Sequence, residues 1–216
     1  MKKAAIAAGA LLAVGLLLLG KKTMATTIAQ LTPEARKALA AQIAAELGTE
    51  PAVIRAFLQV ESSGKAFALH PDGIRRMIIR FEPHIFRRYT EQHTGKEIAA
   101  PAVKHGSQVS EWAAFRAACR LHDRAGHESI SMGAGQVMGF NFARAGYSTP
   151  QEMFAALSVS EVAQLHAVAG FLRDPPILAA TRAKNWLQMA RLYNGKGQVG
   201  YDKKLAAAYA AQIAKG

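Results

Sequence analysis

Signals that begin α-helices recur along this chain at short intervals and constrain its fold more than any other feature. Thr32-Pro33-Glu34, Thr49-Glu50-Pro51 and Thr149-Pro150 each place a residue that can cap a helix just ahead of a proline, which is favoured in the first helical turn. Gly48 follows the first of these segments, where a left-handed residue can end a helix. The pattern predicts a mainly helical chain.

The expected elements follow from these signals and from the spacing of apolar residues. Helices are predicted over 33–47, 51–61, 82–90, 110–121 with Ser110 as the cap, a segment from 150, a segment capped within 158–160 and ending near 172, 178–193, and a last segment after the glycine-rich turn 194–200. Asp174-Pro175-Pro176 is expected to break the chain between two of them. Residues 65–81 favour a short strand or hairpin. Residues 94–109 and 123–132 are expected to be irregular, and 132–145 to form a loop that enters a short helix.

The fold class is therefore mostly α (α+β), with a small β-hairpin region. There is no internal repeat and no low-complexity linker after Lys22. One compact domain over residues 28–216 is the simplest organisation.

Residues 1–27 form a separate segment with the character of a membrane anchor or export signal. Met1-Lys2-Lys3 precedes an uncharged stretch, 4–20, which Lys21-Lys22 ends. The stretch is at the lower length limit for a spanning helix, and its alanines and glycines make insertion only moderately favourable. Three interpretations stay open: a cleaved signal peptide with a poor cleavage site at Thr23-Met24-Ala25, a permanent transmembrane anchor, or a weak anchor that later leaves the membrane.

The charge of the chain predicts an anionic partner. Its 216 residues include 27 Lys and Arg against 15 Asp and Glu, which gives a net charge of +12. Nucleic acid, an anionic membrane and an anionic cell wall would all suit such a field. The basic residues are dispersed and accompany no nucleic-acid-binding motif, so we expect no nucleic acid partner.

The sequence offers little for a metal or cofactor. It contains seven histidines and a single cysteine, Cys119, with no HExxH motif and no nucleotide-binding glycine motif. We therefore expect no metal and no cofactor. Cys119 is interpreted as a core residue on an apolar helix face.

Glu61 is the first candidate for chemistry, since it ends an apolar helix within Val60–Gly64. A carboxyl at the point where a buried helix reaches the surface is partly desolvated. Desolvation raises its pKa, so that it can act as a general acid near neutral pH. The alternative is a solvated surface glutamate.

Two further segments could bind a ligand. In the glycine-rich run 131–139, backbone can approach a ligand closely, and the Gln136 amide can donate to and accept from sugar hydroxyl and N-acetyl groups. In the run 190–197, Tyr193 can pack against a sugar ring and direct its hydroxyl at the acid. The alternatives are an ordinary turn, and a core tyrosine followed by a capping Asn194.

The order of these three segments resembles the lysozyme-like superfamily of goose-type lysozymes and soluble lytic transglycosylases. A narrower similarity adds Arg80-Phe81-Glu82-Pro83-His84-Ile85-Phe86 and Gly135-Gln136-Val137-Met138-Gly139-Phe140-Asn141, together with 47–64, Gly146-Tyr147 and 190–195. These motifs, over about residues 41–209, resemble the N-acetylmuramidase domain of phage endolysins and related bacterial lysins. Where that family usually has Ser-Trp-Gly, this chain has Ser131-Met132-Gly133. No tryptophan side chain can therefore stack on a sugar ring at position 132.

The resemblance implies a lysozyme-like fold and a muramidase that cleaves the β-1,4 bond between N-acetylmuramic acid and N-acetylglucosamine, with Glu61 as catalytic acid. Glu82, from the Phe-Glu-x-His motif, is the first candidate for a second carboxylate, ahead of Glu128 and Asp123. An ion pair between Glu82 and Arg76, Arg80, Arg87 or Arg88 is an equally open interpretation. The expected substrate-binding residues are Ser131, Gln136, Met138, Tyr193, Asn194 and His84.

The implied partners are peptidoglycan glycan strands and, through the N-terminal helix, the cytoplasmic membrane. The implied location is the inner membrane of the host cell and then its periplasm, and the chain is expected to be a monomer. A lytic transglycosylase that leaves anhydro-muramic acid ends remains an alternative. A non-catalytic wall-binding or virion protein is a second one, since a groove can bind without turnover.

Overall fold

The computed structural model describes residues 28, 30–62, 65–195 and 199–215. These residues form a mainly helical fold with a few short strands, which confirms the predicted fold class. The predicted anchor or export segment, 1–27, lies outside the described residues. Within the described ranges, no helix combines the length and the apolar character that crossing a membrane requires.

Helices dominate the described part of the chain. They are α1 (Pro33–Leu47), α2 (Pro51–Ser62), α3 (Pro83–Thr94), α4 (Gln108–Leu121), α5 (Asp123–Glu128), α6 (Pro150–Val159), α7 (Glu161–Leu172), α8 (Pro175–Arg182), α9 (Trp186–Asn194) and α10 (Tyr201–Ile213). The strands are β1 (Phe67–Leu69), β2 (Arg75–Met77), β3 (Ile79–Phe81), β4 (Ile130–Met132) and β5 (Val137–Met138), and a short 3-10 turn covers Gly139–Asn141.

Several helix boundaries lie where the sequence predicts them. The Thr32 hydroxyl accepts a hydrogen bond from the Ala35 amide at 3.2 Å and caps α1. Gly48 ends that helix in the left-handed conformation, with φ of 63°. Thr149 caps α6 in the same way, by accepting from the Glu152 amide at 3.0 Å.

The prediction for the segment around α4 and α5 was partly wrong. The cap of α4 is Ser107 rather than Ser110, so the helix begins three residues earlier than predicted. Residues 123–132 are not irregular, because they form α5 and β4. The α5 helix has an unusual cap: the Nδ1 atom of His122 accepts from the Ala125 amide at 3.1 Å. Histidine is not a favoured capping residue, so the start of α5 could not be predicted from the residue at position 122.

The predicted helix over 178–193 is two helices. The break falls at Lys184, which adopts a left-handed φ of 53°, and Asn185 then caps α9 through the Gln188 amide at 3.1 Å. Pro175 does follow a break, as predicted, but it also occupies the first turn of α8. Proline is favoured in the first helical turn because backbone N–H groups have no partner within the helix there, and proline has no N–H group.

The strands form two small antiparallel sheets. The strands β1 and β2 make the predicted hairpin, with Phe67 opposite Met77. The strands β3, β4 and β5 form a three-stranded sheet in that order, with Phe81 opposite Ile130 and Ser131 opposite Met138. Thus β3 delivers the chain to Glu82, while the β4–β5 turn carries the glycine-rich segment.

The core forms where α2 packs against α1 and α10. The inner face of α2 includes Val53 and Phe57, both about 1% exposed. The α10 helix packs along α2. The end of α2 at Glu61 therefore meets the beginning of α10 at Tyr201. Burial of these apolar side chains positions the acid.

Close packing at Gly139 joins the glycine-rich segment to α5. A Cβ atom at this position would lie 1.9 Å from the carbonyl oxygen of His127, so the backbone itself would have to move. We expect Gly139→Ala to lower the free energy of unfolding by about 3 kcal/mol. Chemical denaturation measures this change.

Gly73→Ala is the matched control, since a Cβ there would have no neighbour within 4 Å although φ is 76°. It should cost about 1 kcal/mol through backbone conformation alone. Equal losses in the two variants would contradict the steric argument.

Candidate active site

A cavity of about 360 Å³, here termed the proximal cavity, brings together the three segments that the sequence selected. Its walls come from the end of α2, from β3–β5 and from α7, α9 and α10. The lining residues are Glu61, Arg80, Glu82, Ser131, Gln136, Met138, Asn141, Phe171, Tyr193 and Tyr201. Six of them are predicted site residues: Glu61, Glu82, Ser131, Gln136, Met138 and Tyr193.

Glu61 lies in the last turn of α2, half-buried in the wall of this cavity. The Tyr201 hydroxyl donates a hydrogen bond to its Oε1 atom. Burial raises the pKa of the Glu61 carboxyl to about 8, because the protein replaces water that would solvate the charged form. The carboxyl is therefore protonated at neutral pH and can deliver a proton to a bound ligand.

Tyr193 lines the cavity as predicted, but its hydroxyl does not point at the acid. The hydroxyl donates to the Gly135 carbonyl at 2.5 Å. Its ring is held edge-on between Phe57 and Phe171, with centroids 4.6 Å and 4.9 Å away. The residue therefore joins α9 to the β4–β5 turn, and burial of its hydroxyl raises the pKa of that group well above the usual range.

Tyr201 is the site residue that sequence reasoning missed. Its ring is stacked near that of Tyr193, at a centroid distance of 6.4 Å and an interplanar angle of 13°. Tyr201 begins α10, directly after Gly200. The packing of α10 on α2, which places this tyrosine on the acid, has no local sequence signal.

The glycine-rich turn is organised by its own polar groups. The Ser131 hydroxyl donates to Oε1 of Gln136 at 2.7 Å, and Nε2 of Gln136 donates to the Gly133 carbonyl at 2.8 Å. The buried Gln164 side chain accepts from the Ala134 amide at 2.7 Å. The Gln136 amide therefore holds the turn, in addition to lining the cavity.

The carboxylate of Glu82 faces the cavity but is paired. Oε1 accepts from Nε of Arg80 at 2.8 Å, and Oε2 lies 3.7 Å from Nδ1 of His84. The open interpretation of Glu82 as the partner of an arginine is therefore confirmed for Arg80. The two lower-ranked carboxylates do not line the cavity: Glu128 is bonded to His93 at 2.6 Å, and the Asp123 side chain is 61% exposed.

A second cavity of about 500 Å³, here termed the distal cavity, continues from the first. The two share five lining residues: Glu82, Met138, Asn141, Phe171 and Tyr193. The predicted His84 lines the distal cavity only. The side chain of the predicted Asn194 lies outside the described part of the chain. The two cavities therefore adjoin along a shared wall.

One group of side chains has metal-ligating atoms within 4.8 Å of one another: Cys119, Asp123 and His127. Nδ1 of His127 lies 2.9 Å from the Asp123 carbonyl oxygen, which suits a donated hydrogen bond rather than a metal bond. Burial raises the pKa of the Cys119 thiol to about 12, so the thiol stays protonated. Both observations fit a hydrogen-bonded junction between α4 and α5.

The raised pKa of Glu61 makes folding stability depend on pH. The unfolded carboxyl ionises near pH 4.5 and the folded one near pH 8. The unfolded state therefore binds fewer protons between these values, so Glu61 lowers the free energy of unfolding as pH rises through this window. Glu61→Gln removes the effect, and its melting temperature should exceed that of the wild type by about 3 °C or more at pH 9 but not at pH 4.

Scanning calorimetry across pH measures this difference. The exposed Glu91 supplies the matched control, since Glu91→Gln leaves Glu61 in place and its melting temperature should keep the pH dependence of the wild type. A constant offset between Glu61→Gln and wild type would contradict the raised pKa.

Comparison with known proteins agrees with this geometry. The family model of N-acetylmuramidase matches residues 50–212. A solved structure, the crystal structure of Burkholderia AP3 phage endolysin, is 31% identical, with a TM-score of 0.67 over 83% of this chain and 70% of that one. None of the curated proteins matches the chain. The chain therefore belongs to the N-acetylmuramidase family and is a glycoside hydrolase.

Proposed function

We propose that this chain is an endolysin that cleaves the β-1,4 bond between N-acetylmuramic acid and N-acetylglucosamine in peptidoglycan, with Glu61 as general acid. The observation that carries the proposal is the position of the half-buried Glu61 carboxyl in the wall of the proximal cavity, where burial raises its pKa to about 8. Glycoside cleavage needs a proton on the leaving oxygen. An acid with a pKa near the working pH supplies it most effectively.

Tyr201 acts as a positioning residue in this mechanism. Its hydroxyl donates to Oε1 of Glu61, which leaves Oε2 to carry the acidic proton towards the cavity. The rings of Tyr193, Tyr201 and Phe171 form the apolar part of the wall. They limit the access of water to the acid and so maintain its raised pKa.

Glu82 supplies the negative charge that the second half of the reaction needs. Departure of the leaving group creates positive charge at the sugar carbon, which a carboxylate can stabilise directly or through a water molecule. The ion pair with Arg80, at 2.8 Å, holds the Glu82 carboxylate at the wall of the cavity. Two carboxyl groups with different surroundings in a single cavity suit the division of roles that glycosidases require.

Replacing the carboxyl group of Glu61 with an amide should slow lysis strongly. We expect Glu61→Gln to reduce the rate of wall solubilisation by about 10²-fold to 10⁴-fold, while Glu91→Gln retains the wild-type rate. The assay is the release of soluble fragments from purified peptidoglycan, with mass spectrometry of the new ends. Wild-type fragments should carry reducing N-acetylmuramic acid.

Two results would contradict the proposal. Clearing by Glu61→Gln at the wild-type rate would exclude Glu61 as the acid. Anhydro-muramic acid ends would show that the 6-hydroxyl of the sugar, rather than water, attacks the reacting carbon, as in a lytic transglycosylase.

We further propose that residues 1–27 carry the protein to the inner membrane of the host and release it into the periplasm. The support is the lysine-flanked apolar stretch 4–20, whose alanine and glycine content weakens its hold on a bilayer. Replacing Gly9, Ala10, Ala13 and Gly15 with leucine should keep the protein in the membrane fraction. Unchanged release, measured by fractionation, would refute a weak anchor.

A further inference from the structure

The distal cavity contains cationic groups that the mechanism above does not use. Arg88 and Arg144 line it from α3 and from the segment after the 3-10 turn, and His84 lines it near Glu82. The distal cavity opens directly into the proximal one through shared walls. A substrate held at Glu61 therefore extends past these groups.

Arg88 is held by aromatic rings rather than by an acid. Its Cζ atom lies 5.0 Å from the centroid of Tyr89 and 5.6 Å from that of Phe140. These two rings are stacked, at 5.8 Å and an angle of 24°. Among the residues that the structure describes, no carboxylate lies within 4.0 Å of the Arg88 guanidinium. Ring contact and a hydrogen bond to the Tyr89 side chain thus orient the cation. The guanidinium has five N–H donors, so further donors remain for an anion.

Arg144 has a similar environment on the other side of the cavity. Its Cζ atom lies 5.7 Å from the ring centroid of Phe171. Its ion pair with Asp174 is long, at 3.7 Å, and half of the side chain is exposed. A pair of this kind is weak, so Arg144 retains the capacity to bind an external anion.

Among the described residues, the acidic side chain that lines this cavity is that of Glu82, which already has a cationic partner. Glu82 is paired with Arg80 at 2.8 Å. The walls of the distal cavity therefore carry an excess of positive charge. A chain of N-acetylglucosamine has no charge to match it, whereas the stem peptides on muramic acid carry carboxylates.

We propose that the distal cavity binds a carboxylate of the stem peptide next to the cleaved bond, through the guanidinium groups of Arg88 and Arg144. The two arginines would make the enzyme favour glycan strands whose stem peptides carry free carboxylates over strands whose carboxylates are amidated. Arginine suits this task because its planar donors bind a carboxylate at two points. This inference rests on the proposed muramidase function and adds to it the part of the substrate that is recognised.

The test compares two forms of one substrate, using the full chain. Soluble glycan strands with stem peptides are acetylated on their amines, and half are then amidated on their carboxylates, which removes the charge but keeps the size. For the wild type, amidation should raise KM about tenfold with little change in kcat. For Arg88→Gln and Arg144→Gln, KM should already be raised on the free carboxylate, and amidation should raise it little further.

Arg120→Gln is the matched control, because Arg120 is exposed on α4 and does not line either cavity. It makes the same change in net charge and should keep the full response to amidation. Arg88→Lys retains the charge without the planar donors and should restore part of the wild-type response. Unchanged melting temperatures establish that the variants are folded.

The inference is overturned if amidation does not change KM for the wild type, or if it raises KM for the variants as much as for the wild type. In either case, cleavage of both substrates with reducing muramic acid ends would leave the proposed function intact. If wild type cleaves neither substrate, the proposed function itself fails.

Discussion

The site depends on the burial of one carboxyl group at the end of a packed helix. The apolar face of α2, with Phe57 at its centre, is fixed against α1 and α10, and this packing removes water from Glu61. Desolvation favours the protonated carboxyl and raises its pKa to about 8. Burial of this carboxyl lowers the free energy of unfolding at alkaline pH, and the same burial favours its protonated form at neutral pH.

The elements that the sequence predicted correctly are those with local chemistry at their ends. The side chains of Thr32, Thr149 and Ser160 cap their helices by accepting hydrogen bonds from the amides three residues ahead. The errors arose where tertiary packing overrides such rules. The helix α5 is capped by the ring of His122, and the break between α8 and α9 is set by the left-handed Lys184. Neither residue type predicts such a role.

The same distinction holds within the cleft. Glu61, Glu82, Ser131 and Met138 could be selected because their motifs resemble a family, and the structure brings them to one cavity. Hydrogen-bond partners could not be predicted, since they depend on how distant helices pack. The hydroxyl beside Glu61 belongs to Tyr201, from α10, while that of Tyr193 is bonded to the glycine-rich turn. The two tyrosine rings are stacked, and the contact with the acid that was expected of Tyr193 is made by Tyr201, for which there was no expectation.

The central claim is that the folded protein keeps Glu61 protonated at neutral pH. Carbon-13 NMR of a sample labelled at glutamate side-chain carboxyls, titrated from pH 4 to 10, measures this directly. The Glu61 resonance is the one missing from the spectrum of Glu61→Gln. The account predicts that this resonance titrates near pH 8. Titration near 4.5, the ordinary value for glutamate, would contradict it.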